Sequence, residues 1–86
     1  MGTVVGYTVP IANATVFFSE VGDELCRRFP DAPFAAYYMD REDGLRQWGL
    51  RARGGFDTSA VAKKFGGGGH PGASGFTEPI PWGVIQ

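Results

Sequence analysis

Between Phe65 and Phe76 six of ten residues are glycine, namely Gly66, Gly67, Gly68, Gly69, Gly72 and Gly75, and the same stretch carries His70, the chain's one histidine. Glycine without a Cβ breaks a helix and lets main chain come close to other main chain or to a ligand. Successive N–H groups in such a loop can turn toward one point and hold an anion, with His70 as a titratable donor at the rim. Phosphate is the guest this suggests. The run also reads as a flexible connector, but a connector has no need of the small residues Gly72, Ala73, Ser74 and Gly75 that follow it, nor of Phe76, which re-enters a core. Gly67, Gly69 and Gly72 satisfy G-x-G-x-x-G. That fingerprint requires a strand before it and a helix after it, whereas here a predicted helix precedes and Pro71 intervenes. No G-K-[ST] follows the glycines, which excludes a Walker-type loop.

Eighty-six residues make one domain, which buries only about 60 to 65% of its unfolded surface. An apolar content of 43%, with 14% aromatic residues, suffices for a small core without disulfide or structural metal. Cys26 is alone and falls in a predicted amphipathic helix, where a free thiol behaves as a small hydrophobe. The expected compartment is reducing and cytoplasmic. A net charge of −1 argues against coating nucleic acid by bulk electrostatics, so any anion binding must be local. No apolar segment approaches the ~20 residues of a membrane span, and no basic region leads into an apolar one at the N-terminus. No membrane partner is expected.

Val4 to Val9 is a β-branched and aromatic run closed by Pro10, and is read as a first strand. Ala14, Phe17, Phe18, Val21, Leu25 and Phe29 recur at helical spacing, with Asn13 placed as N-cap and Pro30 marking the end. Phe34–Asp40 and Leu45–Arg51 are strand-like runs joined by Arg41-Glu42-Asp43-Gly44, whose Asp-Gly pair signals a hairpin. A second helix starts at Asp57 as N-cap, with Phe56 and Val61 spaced as a hydrophobic staple. Ala73–Thr77 is the last strand, and Pro79 to Gln86 is irregular, with Pro81 and Trp82 folded back on the body.

The order β-α-β-β-α-β predicts an α/β fold: a four-stranded mixed sheet with two helices packed on one face and the other face open. Alternation places Arg46, Trp48, Leu50 and Ala52 on one side of the third strand, and Gln47, Gly49, Arg51 and Arg53 on the other. The first set, apart from Arg46, suits the helix side. Arg51 and Arg53 are then expected to project from the open side. If the glycine loop lies at the same end of the sheet, both guanidinium groups and the loop amides converge on one phosphate-sized space. The plain alternative is a pair of solvated surface arginines.

The stretch Leu50-Arg51-Ala52-Arg53-Gly54-Gly55-Phe56-Asp57, followed by Val61-Ala62-Lys63-Lys64-Phe65-Gly66-Gly67-Gly68-Gly69-His70-Pro71-Gly72-Ala73-Ser74-Gly75-Phe76, resembles the DHH-associated domain. Its signature G-G-G-H-x-x-A-x-G is met by Gly67, Gly68, Gly69, His70, Ala73 and Gly75. Pro10, Asn13 and the first helix sit as in oligoribonuclease-like and RecJ-like members. In that superfamily the domain follows a catalytic Asp-His-His domain that holds divalent metal, usually manganese, and hydrolyses phosphate esters. The resemblance implies that residues 1–86 form a single substrate-binding domain, the C-terminal part of a larger phosphoesterase with exonuclease-like activity. It implies that His70 and the amides of Gly67, Gly68 and Gly69 contact a substrate phosphate. Arg51 is implied to contact another phosphate or the nucleotide, with Arg53 beside it. Many relatives have Arg-Ser where this chain has Arg51-Ala52, so one hydroxyl contact is missing here.

The chain contains no Asp-His-His sequence, and one histidine with one cysteine cannot build a hydrolytic metal centre. It is therefore not expected to hydrolyse phosphate esters alone or to carry a cofactor. The expected partners are a nucleotide or short single-stranded nucleic acid and the catalytic domain. A second reading makes the chain a protein interaction or homodimerisation module that docks through its open sheet face, with Tyr37, Tyr38, Met39 and Trp48 as interface aromatics and apolar side chains. Alternating strand aromatics also suit a core.

Overall fold

The computed structural model describes residues 2–13 and 18–80. These residues form a mixed α/β fold with nine elements. They are β1 (Gly2–Val4), β2 (Tyr7–Val9), β3 (Ile11–Asn13), α1 (Phe18–Arg28), β4 (Ala35–Asp40), β5 (Leu45–Arg51), α2 (Thr58–Lys64), β6 (Gly68–His70) and β7 (Ala73–Pro79). A five-stranded sheet runs in the order β3-β4-β5-β7-β6, and β1-β2 form a separate hairpin. β3 and β4 are parallel and every other pair is antiparallel.

The sheet thus has five strands, not four, and each discrepancy has a local cause. The run read as one strand over Val4 to Val9 is folded at Val5 and Gly6, which take φ of 49° and 83° and let Val4 pair with Tyr7. A β-branched residue rarely adopts positive φ, so the turn was hidden behind strand-like side chains. The parallel edge strand instead begins after Pro10, and Asn13 pairs with Tyr38 inside it; the residues that follow Asn13, on which its reading as an N-cap depends, lie outside the described residues. Ala14 and Phe17 of the predicted helix, and Pro81 and Trp82 of the predicted tail, lie outside the described residues. β6 is a strand made from the glycine run itself.

The helices lie on opposite faces of the sheet. Ala36, Leu50 and Ser74 form one cross-strand row and Tyr38, Trp48 and Phe76 the next, all on one face. On that face Val61 and Ala62 of α2 join Leu50, Phe76, Ala36, Phe34, Val4 and Val9 in the core. Tyr37, Gly49 and Arg51 point the other way, toward α1: a Cβ built on Gly22 would stand 2.5 Å from the Tyr37 ring and 3.2 Å from Arg51 Cβ. The expected common helix face fails because strand alternation defines two sides without saying which helix crosses which. β4 is apolar on both faces, and Ala35, Ala36 and Tyr37 are accordingly all buried.

The predicted hairpin between β4 and β5 is present, closed by Gly44 at φ 85° and by the Arg41 N–H donating to the Leu45 carbonyl at 2.7 Å. Asp57 caps α2 as expected, its side chain accepting from the Ser59 N–H. No helix among the described residues is long and apolar enough to cross a membrane.

Candidate functional site

α1 packs on β4 and β5, while α2 packs chiefly on β6 and β7 from the opposite side. Among the described residues the α1-side face of β6 and β7 therefore has no helix above it and forms a shelf beside α1. Register fixes what stands on this shelf. Arg51 pairs with Ala73, and Ala73 pairs with His70, so the three make one row on one face. Arg51 and His70 lie two strand spacings apart, about 10 Å. The neighbouring row is Gly49, Gly75 and Gly68, with no side chain in it. The Tyr37 ring covers Gly49, but a Cβ on Gly68 would meet nothing within 4 Å. The outer half of the floor is bare main chain.

Backbone hydrogen bonds decide which glycine amides face outward. The Gly66 and Gly67 N–H groups donate to the Lys63 and Ala62 carbonyls at 3.1 and 2.9 Å, terminating α2. The Ala52 N–H donates to the Gly72 carbonyl at 3.0 Å, which directs Gly72 toward β5 and, by alternation, Ala73 toward β6. The ladder therefore consumes the inward groups of His70 and Gly68 and leaves those of Gly69 at the outer edge. Of the three loop amides singled out in the sequence, those of Gly67 and Gly68 are engaged internally and that of Gly69 alone faces outward. Gly69 has φ 143°, and a Cβ there would stand 2.6 Å from Ser74 Cα, so glycine is required for the two backbones to meet.

The turn after His70 is pinned from below. Thr58, fully buried, donates its N–H to the Pro71 carbonyl at 2.7 Å and its hydroxyl to the same oxygen at 2.9 Å. Ser74 donates its hydroxyl to Thr58 Oγ1 at 2.8 Å. His70 itself is exposed. The pinned turn thus presents an exposed imidazole. Sequence reasoning missed Thr58 and Ser74; their signal was a Thr directly after a helix cap, with a lone Ser inside the glycine-rich stretch.

Arg51 is half-covered by α1, its side chain 25% exposed, rather than projecting from an open face. One guanidinium nitrogen lies 4.0 Å from Asp23 Oδ1, at the limit of an ion pair, and Nε is buried without an acceptor among the described residues. The Cys26 thiol donates to the Arg51 carbonyl at 3.3 Å. Burial pushes that thiol above its ordinary range, and Asp23 adds to the shift against Arg51 and Arg53. Arg53 follows β5, is exposed, and lies in the wall of a cleft of about 710 Å³ with Cys26, Arg27 and Phe29. Arg51 and His70 are thus brought together on one face, with Arg53 at the adjoining sheet end. Among the described residues no group of three or more His, Cys, Asp or Glu is placed to hold a metal ion.

No family model and no curated protein matches the chain. Among solved structures it is similar to an uncharacterized protein from Helicobacter pylori G27, at 26% identity and a TM-score of 0.59. The likeness covers 88% of this chain and 20% of that one, so the chain spans about a fifth of the longer protein.

Proposed function

We propose that this chain is a phosphate-binding module for nucleotides or short single-stranded nucleic acid, of the kind found in DHH-family phosphoesterases. Hydrolysis then belongs to a separate Asp-His-His domain holding divalent metal, manganese by the family resemblance. The observation that carries the reading is the row Arg51–Ala73–His70 beside the bare Gly75–Gly68 floor. A guanidinium and an imidazole facing the same shelf supply directional donors to phosphate oxygens. The glycine floor lets the anion approach main chain, and Gly69 adds the outward amide.

The alternative, docking through an open sheet face, has less surface to work with, since helices cover parts of both faces. Charge-assisted hydrogen bonds contribute about 1.5–3 kcal/mol each, against several kcal/mol of lost freedom. Two or three such contacts give a dissociation constant near or above ~0.1 mM. Titration of the 15N-labelled chain with a mononucleotide tests the reading. The expected result is saturable shifts at Gly68, Gly69, His70 and Ala73, weakened by salt; an unchanged spectrum at millimolar nucleotide sinks it.

A further inference from the structure

We infer that the cleft between the end of α1 and the loop after β5 is a nucleobase subsite, occupied by the base of the nucleotide whose phosphate rests on the Arg51–His70 row. The inference builds on that phosphate-binding reading. The cleft measures about 710 Å³, within the range of small-molecule sites. It adjoins the phosphate shelf, because Cys26 in its wall bonds to the Arg51 carbonyl and Arg53 lies just beyond the end of β5.

The lining identifies the ligand class. Phe29, Phe34 and Phe56 contribute aromatic surface, and Phe34 stacks on Phe56 with ring centroids 5.1 Å apart. Phe34 is buried, whereas Phe29 leaves 40% of its surface exposed at the cleft wall. Among the described residues two arginines, Arg27 and Arg53, line the same space, and no carboxylate does. Arg27 is tied to Glu24 by an ion pair, so Arg53 is the arginine left to approach a ligand. An inorganic anion would use the guanidinium and leave the rings idle. A nucleobase uses both, stacking on an aromatic face and on a planar guanidinium. The lining offers few fixed side-chain hydrogen-bonding groups for base edges, so the subsite accepts bases with little sequence preference.

The test compares ribose 5-phosphate with adenosine 5′-monophosphate by calorimetry on the full chain. The two ligands share the phosphate and sugar and differ in the base. The expected result is about tenfold tighter binding of the nucleotide. Phe29→Ala should erase that advantage while leaving ribose 5-phosphate affinity unchanged, and Arg53→Ala should reduce it. Both side chains are exposed enough for the variants to fold, checked by circular dichroism. Equal affinity of the two ligands, or an advantage that survives Phe29→Ala, overturns the base subsite and leaves the phosphate reading standing. Failure of both ligands to bind overturns both.

Discussion

Arg51 and His70 stand in one cross-strand row, each paired with Ala73 from opposite sides, so the two side chains of the proposed phosphate site face one shelf although their strands do not touch. Removing either should cost one charge-assisted interaction. We expect Arg51→Ala and His70→Ala each to weaken mononucleotide binding by about tenfold or more, and the double variant to abolish measurable binding. Calorimetry checks both variants. An unaltered affinity in His70→Ala would remove the histidine from the site.

Asp23 faces the same guanidinium that the proposed phosphate site uses. Its carboxylate lies 4.0 Å from the guanidinium and is 60% exposed, so the interaction is weak and screened by salt. Asp23→Asn should tighten nucleotide binding about two- to fivefold at low ionic strength, and the gain should vanish near 1 M salt. The same change removes one cause that raises the Cys26 thiol, so Cys26 should react with a thiol reagent at lower pH than in the wild type. A Cys26 profile that does not move would mean that Asp23 acts elsewhere.

The glycines separate folding from binding. A Cβ on Gly67 collides with the Gly75 carbonyl and stands 2.6 Å from Phe76 Cβ, and one on Gly69 meets Ser74 Cα. Neither obstacle is the far end of a flexible side chain. Gly67→Ala and Gly69→Ala should therefore destabilise the chain, by about 1–3 kcal/mol in urea titrations. Gly68→Ala meets nothing within 4 Å and should be neutral or slightly stabilising. Its methyl group nevertheless stands on the shelf, and should weaken nucleotide binding without loss of stability.

What the sequence made legible was local. The Asp57 cap, the Asp43-Gly44 hairpin and the β5 strand rest on side chains that act on their own backbone, and each was found. The Val5–Gly6 turn was not, because its first residue favours extended backbone. β6 was missed for a related reason: glycine has little strand propensity, and Gly68–His70 becomes a strand only because β7 supplies a ladder. Arg51 and Arg53 were legible as site candidates, but not the helix above Arg51. That depends on where Gly22 admits the Tyr37 ring, a contact between distant segments. The juxtaposition of Arg51 with His70 likewise depends on register through Ala73, which no motif encodes.

Thr58 ties the site to the core. Its hydroxyl bridges the Ser74 hydroxyl and the Pro71 carbonyl under complete burial. Thr58→Val keeps the shape and leaves the Ser74 donor unpaired, which should cost about 1–3 kcal/mol. Chemical denaturation measures this. Thr58→Ser restores the hydroxyl and should recover most of the loss; if it does not, packing rather than hydrogen bonding is the cause.

Asp57 gives this support a pH dependence. Its carboxylate accepts from the Ser59 hydroxyl and from the Ser59 N–H at 3.0 Å, and the hydroxyl contact is the larger cause holding it below the ordinary aspartate range. A folded value below the unfolded one means that the stabilisation is complete above about pH 4 and is lost as pH falls through the folded value. Asp57→Asn retains a capping oxygen but cannot titrate. Near pH 7 the wild type should melt a few degrees higher, since a negative charge favours a helix N-terminus. At acid pH, as the carboxylate takes up its proton, the two melting curves should converge. Thermal melts followed by circular dichroism at both pH values decide it; a difference that stays constant would place the stabilisation in cap geometry rather than charge. Because the Thr58 N–H next to this cap holds the Pro71 carbonyl, the wild-type His70 turn should lose amide protection at the acid end together with α2.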